Sequence, residues 1–129
     1  MDLDFKKLDG LVPAVIQDAG SGEVLMLGFM NAEAYAATQT SREVTFFSRS
    51  RNKLWRKGEQ SGHVLKVREI RVDCDVDALL IRVDAVGPGV CHEGYRSCFF
   101  REVSPGGEAK LVGERTFDPR AVYGKDARG

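Results

Sequence analysis

The chain has 129 residues, 43% of them hydrophobic, with 19 basic residues against 19 acidic ones. That length suits one domain with a real core and is too short for two ordinary ones, so residues 1–129 are expected to form a single domain. Balanced charge excludes a protein that grips nucleic acid or membrane surfaces through bulk positive charge, and apolar runs such as VLML and ALLI fall far below the roughly 20 residues of a membrane span.

The N-terminal MDLDFKKLDG begins acidic and lacks the basic-then-apolar layout of a signal peptide, so a cytoplasmic protein is expected. LVPAVIQD and GEVLMLGFM predict two strands joined by a turn around AGSG, where glycine permits positive φ. NAEAYAATQTS opens on Asn31, a good N-cap, carries Glu33 in its first turn and is rich in alanine, which predicts a helix. EVTFFSRS and HVLKVREIRVD are β-branched and aromatic and read as strands. In the second, the apolar phase shifts from Leu65 and Val67 to Ile70 and Val72, which predicts a bulge near Arg68 and Glu69. DALLIRVDAVG alternates Leu79, Ile81, Val83 and Ala85 as a further strand, and PGVCHEGYRSC is a glycine-bearing loop before FFREV. From 104 to 129 the chain turns polar and reads as an appendage, ordered where Phe117, Val122 and Tyr123 dock. The expected fold is α+β and strand-rich, a bent mixed β-sheet approaching a barrel with few short helices.

Three stretches carry chemistry. VDCDVDALL, read as a strand, sets Asp73, Asp75 and Asp77 on one face and Cys74 on the other. Three crowded carboxylates repel one another unless a cation relieves them, and a hard divalent ion such as magnesium does so directly. The alternative is a solvated acidic face answered by Arg68, Arg71 or Arg82. An EF-hand is excluded, because Ala78 stands where its loop needs glycine and Asp84 where it needs a bidentate glutamate. GPGVCHEGYRSC places Cys91 and Cys98 on one loop beside His92. With Cys74 they make three thiols, an odd number that argues against a disulfide framework and fits three zinc ligands with one position left for water. His92 is then the candidate general acid or base; the alternatives are buried apolar cysteines and a surface histidine. Ser97 has no partner pattern of a nucleophile. SRSRNKLWRKGEQSGH concentrates Arg49, Arg51, Lys53, Arg56 and Lys57, which suits phosphate binding, with Trp55 available to stack on a base. Its glycines, around Glu59, Ser61 and His63, let backbone amides approach a ligand. The bland alternative is a charged hairpin.

In that order the three stretches resemble phosphoribosyl-AMP cyclohydrolase of histidine biosynthesis, a resemblance running from about Pro13 to Arg101 and including VLMLGFMN. The resemblance implies a homodimeric enzyme that hydrolyses the N1–C6 bond of the adenine ring of 1-(5-phosphoribosyl)-AMP, with zinc in each active site and a magnesium requirement. It implies Cys74, Cys91 and Cys98 as zinc ligands, Cys74 coming from the partner subunit, and Asp73, Asp75 and Asp77 as magnesium ligands. His92 is expected to shuttle the proton. Arg49, Arg51, Trp55, Lys57, Glu59, Ser61 and His63 are expected to hold a small-molecule substrate with two phosphates. No nucleic acid or membrane is expected as partner. The rival reading is a non-catalytic zinc module that binds a nucleotide or RNA; a redox-thiol protein is disfavoured by the missing C-x-x-C.

Overall fold

The computed structural model describes residues 2–123. Its centre is a four-stranded mixed sheet in the order β2-β1-β6-β5, formed by β1 (Val12–Asp18), β2 (Val24–Met30), β5 (Leu65–Val72) and β6 (Leu79–Ala85). The β1–β2 hairpin forms as expected, closed by Asp18, whose carboxylate accepts the Ser21 amide at 2.8 Å. That bond holds the Asp18 carboxyl below its ordinary range. Helix α1 (Ala32–Ser41) follows, with the Asn31 side chain accepting from the Ala34 amide at its N-cap. A second hairpin pairs β3 (Thr45–Ser48) with β4 (Lys53–Arg56), and a third pairs β7 (Arg101–Val103) with β8 (Ala109–Leu111). A short helix α2 (Pro119–Tyr123) ends the described chain.

The core is the covered face of the central sheet. Val12, Ala14 and Ile16 of β1, Leu79, Ile81 and Val83 of β6, and Leu65 and Val67 of β5 are buried there, as period-two alternation requires. Helix α1 and the β3–β4 hairpin are part of the same cluster, contributing Ala34, Val44 and Phe46. Phe46 lies where a side chain on Gly28 would be, 2.5 Å from a Cβ built there, so β2 needs glycine at that point. Thr38 ties the helix to β3: its hydroxyl donates to the Ala34 carbonyl at 2.9 Å and accepts from the Thr45 amide at 3.0 Å.

β5 and β6 form a hairpin whose register shifts between Val67 and Glu69, leaving Arg68 as the extra residue of the expected bulge. β6 also pairs with β1 in parallel, Ala14 opposite Leu79 through Asp18 opposite Val83, a contact between segments distant in sequence. The sheet stays open, with β2 and β5 at its edges, and is not a closed barrel.

The expected strand through Asp73, Asp75 and Asp77 is overturned. β5 stops at Val72 and β6 starts at Leu79, so the aspartates lie in the turn between them. Val76 adopts φ 57 there, and the Asp73 carboxylate accepts the backbone amides of Asp77 at 3.0 Å and Ala78 at 3.2 Å. An aspartate that caps its own turn competes with strand pairing, and here the turn wins.

The C-terminal segment folds back. Phe117 meets the His63 ring edge-on at 5.1 Å, and Val122 is half-buried. The Tyr123 side chain and residues 124–129 lie outside the described residues.

Candidate metal centres at the two ends of the sheet

Because β1 and β6 run parallel, the sheet has two distinct ends. The ends of β1 and β6 meet the starts of β2 and β5; the starts of β1 and β6 meet the ends of β2 and β5. The seven residues of β6 separate these ends by roughly 20 Å.

The thiols Cys91 and Cys98 occupy the first end. Val90 and Cys91 donate backbone bonds to Arg96 and Tyr95, both at 3.1 Å, closing the loop on itself. Gly94 turns it with φ +95, and a Cβ there would stand 2.6 Å from the Phe117 carbonyl, so glycine is required. The Cys98 amide donates to the Leu25 carbonyl at 2.7 Å and the Ser97 hydroxyl to the Val24 carbonyl at 2.7 Å, anchoring the loop to β2. Ser97 is thus a buried structural hydroxyl. The segment 115–117 straps the loop from outside: Arg115 donates to the Glu93 carbonyl at 2.9 Å, and Thr116 donates through its amide to Gly94 at 2.8 Å and through its hydroxyl to Pro88 at 2.9 Å.

The two thiols influence each other's ionisation. The hydrogen bond with Cys98 lowers the Cys91 thiol to about 6, helped by the Glu93 amide 3.5 Å from its sulfur and the charge of neighbouring His92, while the same bond pushes Cys98 above the thiol range. Half-buried His92 follows Cys91 directly. Lys57 also reaches this end: it is 5% exposed, burial lowers its pKa, and the Cys98 and Cys91 sulfurs partly restore it. A soft donor pair with a buried ammonium beside it fits zinc as two of four ligands.

Cys74 does not join this pair. It is exposed at the opposite end of β6, its sulfur 4.0 Å from Asp75 Oδ1. Within one chain the three cysteines therefore cannot share an ion.

The second end carries the aspartates. Their oxygens lie within 4.8 Å of one another, and among the described residues this is the one group of three or more histidine, cysteine, aspartate or glutamate ligand atoms brought so close. Arg68, Arg71 and Arg82 do not answer the triad: Arg68 pairs with Asp84, and Arg71 and Arg82 with Glu69. Lys7 does, its ammonium 2.9 Å from both Asp75 Oδ2 and Asp77 Oδ2. Its hydrogen bond holds the Asp75 carboxyl down to about 2, while desolvation and the bond to Asp77 raise Asp73. A cation already standing between two of three hard oxygen donors meets the requirement of a magnesium site for charge and donor type.

The basic segment is distributed between the ends. Arg49 and Arg51 lie at the exposed tip of the β3–β4 hairpin, with the Arg49 guanidinium 4.9 Å over the Phe29 ring, near the carboxylate end. Arg49 also lines a cavity of about 440 Å³ with Leu8, Asn31, Phe47 and Asn52. Lys53 is exposed and Arg56 pairs with Glu43 at 2.7 Å. Trp55 is half-buried, 5.1 Å from Phe46 and 5.7 Å beneath the Lys57 ammonium. In the following loop Glu59 is exposed, Ser61 accepts the His63 amide at 3.1 Å, and buried His63 Nδ1 has no hydrogen-bond partner among the described residues. The roles of Lys7 and Lys57 escape sequence reasoning, Lys7 because its partners are 68 and 70 residues away.

These features define a small strand-rich α+β protein whose thiol and carboxylate side chains sit on loops at both ends of an open sheet. The family model described as Phosphoribosyl-AMP cyclohydrolase matches residues 26–100. The chain is 61% identical over 124 residues to the phosphoribosyl-AMP cyclohydrolase of Solibacter usitatus, covering 96% of this chain and 98% of that one. It is 51% identical to that of Desulforapulum autotrophicum, with 95% and 98% covered, and 50% identical to that of Methanococcoides burtonii, with 95% and 99% covered. The chain belongs to the phosphoribosyl-AMP cyclohydrolase family. Membership in an enzyme family leaves the non-catalytic module unsupported. Among the described residues no helix is long and apolar enough to cross a membrane.

Proposed function

We propose that this chain is a cytoplasmic hydrolase of histidine biosynthesis that opens the adenine ring of 1-(5-phosphoribosyl)-AMP at the N1–C6 bond. The observation that carries the reading is the loop that holds Cys91 and Cys98, closed on itself and fastened to β2 with His92 beside Cys91, in a chain of this family. Cys91 and Cys98 of one chain would hold zinc together with Cys74 of a second copy, which makes the working enzyme a homodimer with shared sites. The separation of Cys74 from the other thiols along β6 supports that arrangement. Zinc bound there supplies Lewis acidity that activates water at neutral pH.

The chain's own groups do the rest. His92 takes a proton from the attacking water and returns it to N1 as the ring opens; an imidazole, whose ring nitrogens can accept and donate, suits both transfers. C6 is electrophilic because N1 carries the ribosyl group and a positive charge. Lys57 offsets the negative charge of the thiolates from its buried position. His63, with its unpartnered Nδ1, and the loop through Glu59 and Ser61 face the adenine and its ribose, with Trp55 behind them. Arg49 and Arg51 would meet the phosphates, and Asp73, Asp75 and Asp77 would hold magnesium, which supplies further positive charge for the same groups.

The test is direct: purified protein incubated with 1-(5-phosphoribosyl)-AMP should change the absorbance of the adenine chromophore as the ring opens. About one zinc per chain should be present by metal analysis, and chelation should stop the reaction. Full activity in a zinc-free Cys98→Ser protein would overturn the reading.

A further inference from the structure

The N-terminal segment is tied to the carboxylate turn by its backbone. The Asp4 amide donates to the Val76 carbonyl at 2.7 Å, the Asp4 carboxylate accepts the Lys6 amide at 2.9 Å, and the Gly10 amide closes on the Phe5 carbonyl at 2.7 Å. Leu3 and Phe5 pack against the core. The resulting loop delivers Lys7 Nζ to a point 2.9 Å from one oxygen of Asp75 and one of Asp77. The third carboxylate is held differently: Asp73 Oδ1 accepts two backbone amides of its own turn, bonds that need no cation.

Magnesium binds carboxylate oxygens at about 2.0–2.1 Å in an octahedral shell. An ammonium donating to the same two oxygens stands in the concavity such an ion needs, and two positive centres cannot share it at those distances. We infer that Lys7 is a built-in counter-ion of the Asp73–Asp75–Asp77 triad, which a divalent cation must displace, so that Lys7 sets the affinity of the triad for its metal. The inference rests on the magnesium reading above. In the metal-free chain Lys7 relieves the repulsion among the carboxylates, and on metal binding it swings out into solvent, to which it is already half exposed. Asp73 keeps the turn in shape throughout, so removing Lys7 removes a competitor and leaves the site assembled.

The experiment titrates the full-length protein and Lys7→Met with Mn2+, reading free ion by electron paramagnetic resonance, with Mg2+ as displacing ion and Asp75→Asn as control. Two exposed ion pairs correspond to roughly a 2- to 30-fold change in affinity, so Lys7→Met should bind that much more tightly, with an advantage that shrinks at high salt. Equal or weaker binding by a folded Lys7→Met chain overturns the role of Lys7 and leaves the magnesium reading intact. If the wild-type protein binds no better than Asp75→Asn, the magnesium reading falls and the inference with it. A second readout needs no variant: reductive methylation of the wild-type chain, mapped by mass spectrometry, should find Lys7 protected without metal and reactive at saturating Mg2+. Bound metal with Lys7 still protected overturns displacement.

Discussion

At the thiol end of the sheet, Cys91 and Cys98 sit on a loop fastened by backbone bonds to itself, to β2 and to the strap at 115–117. At the carboxylate end, Asp75 and Asp77 project from an exposed turn and are balanced by one lysine carried on a distant segment. The first end is positioned by backbone hydrogen bonds that salt does not screen; the second by charges that it does. The difference follows the donors. Thiols are weakly solvated and need no counter-charge before a metal arrives, whereas clustered carboxylates must keep water or a cation.

The comparison is broken most severely by substitutions that act at one end alone. His92→Ala should lower turnover by about 10²–10⁴-fold, the usual contribution of a general acid–base, with zinc retained. Steady-state ring-opening assays beside metal analysis check this, and an effect confined to KM would reassign His92 to binding. Asp75→Asn should raise the magnesium concentration required for half-maximal rate by roughly tenfold or more, since it removes a charged ligand and keeps its shape, while zinc content stays unchanged. Parallel loss of zinc would mean that the ends are not separable.

A smaller effect tests whether the ends meet between subunits. Cys74→Ser and Cys98→Ser proteins should each be inactive, yet co-expressed chains that reassort at random make about half their dimers mixed, each with one intact site. Activity should recover to about a quarter of wild type. Mixed dimers verified by mass spectrometry but lacking activity would refute the shared site. The smallest effect is expected on the sheet edge: Arg68→Ala breaks an exposed pair with Asp84 and should change stability by less than about 0.5 kcal/mol in a denaturant melt, with both metals unaffected.

What the sequence made legible is local. The β1–β2 turn, the Asn31 cap and the bulge at Arg68 each follow from neighbouring residues, and each is found where expected. The parallel pairing of β1 with β6 follows from no local pattern, because its partners are more than 60 residues apart. The alternation of Asp73, Asp75 and Asp77 imitated a strand; the side-chain bonds of Asp73 and the positive φ of Val76 make it a turn. A β-branched residue is a poor advertisement for that backbone conformation. Lys57 belongs to a run of basic residues that reads as a phosphate grip. Its backbone amide donates to the Val44 carbonyl at 3.0 Å just past the end of β4, where the chain turns inward to the thiols.

The bulge in β5 also bears on which changes of chain length this fold can absorb. Arg68 is the residue that β6 does not match, since Val67 faces Val83 and Glu69 already faces Arg82. Excising Arg68 would leave Leu-Lys-Val-Glu-Ile-Arg-Val, an unbroken inside–outside alternation that keeps every partner from Leu65 opposite Ala85 to Val72 opposite Leu79. A one-residue deletion ordinarily turns a strand inside out; here it would repair the pattern and remove only the extra local twist that a bulge imposes. β5 can thus be shortened by one residue at the bulge, at Arg68 or Glu69, without sending its apolar side chains to the wrong face.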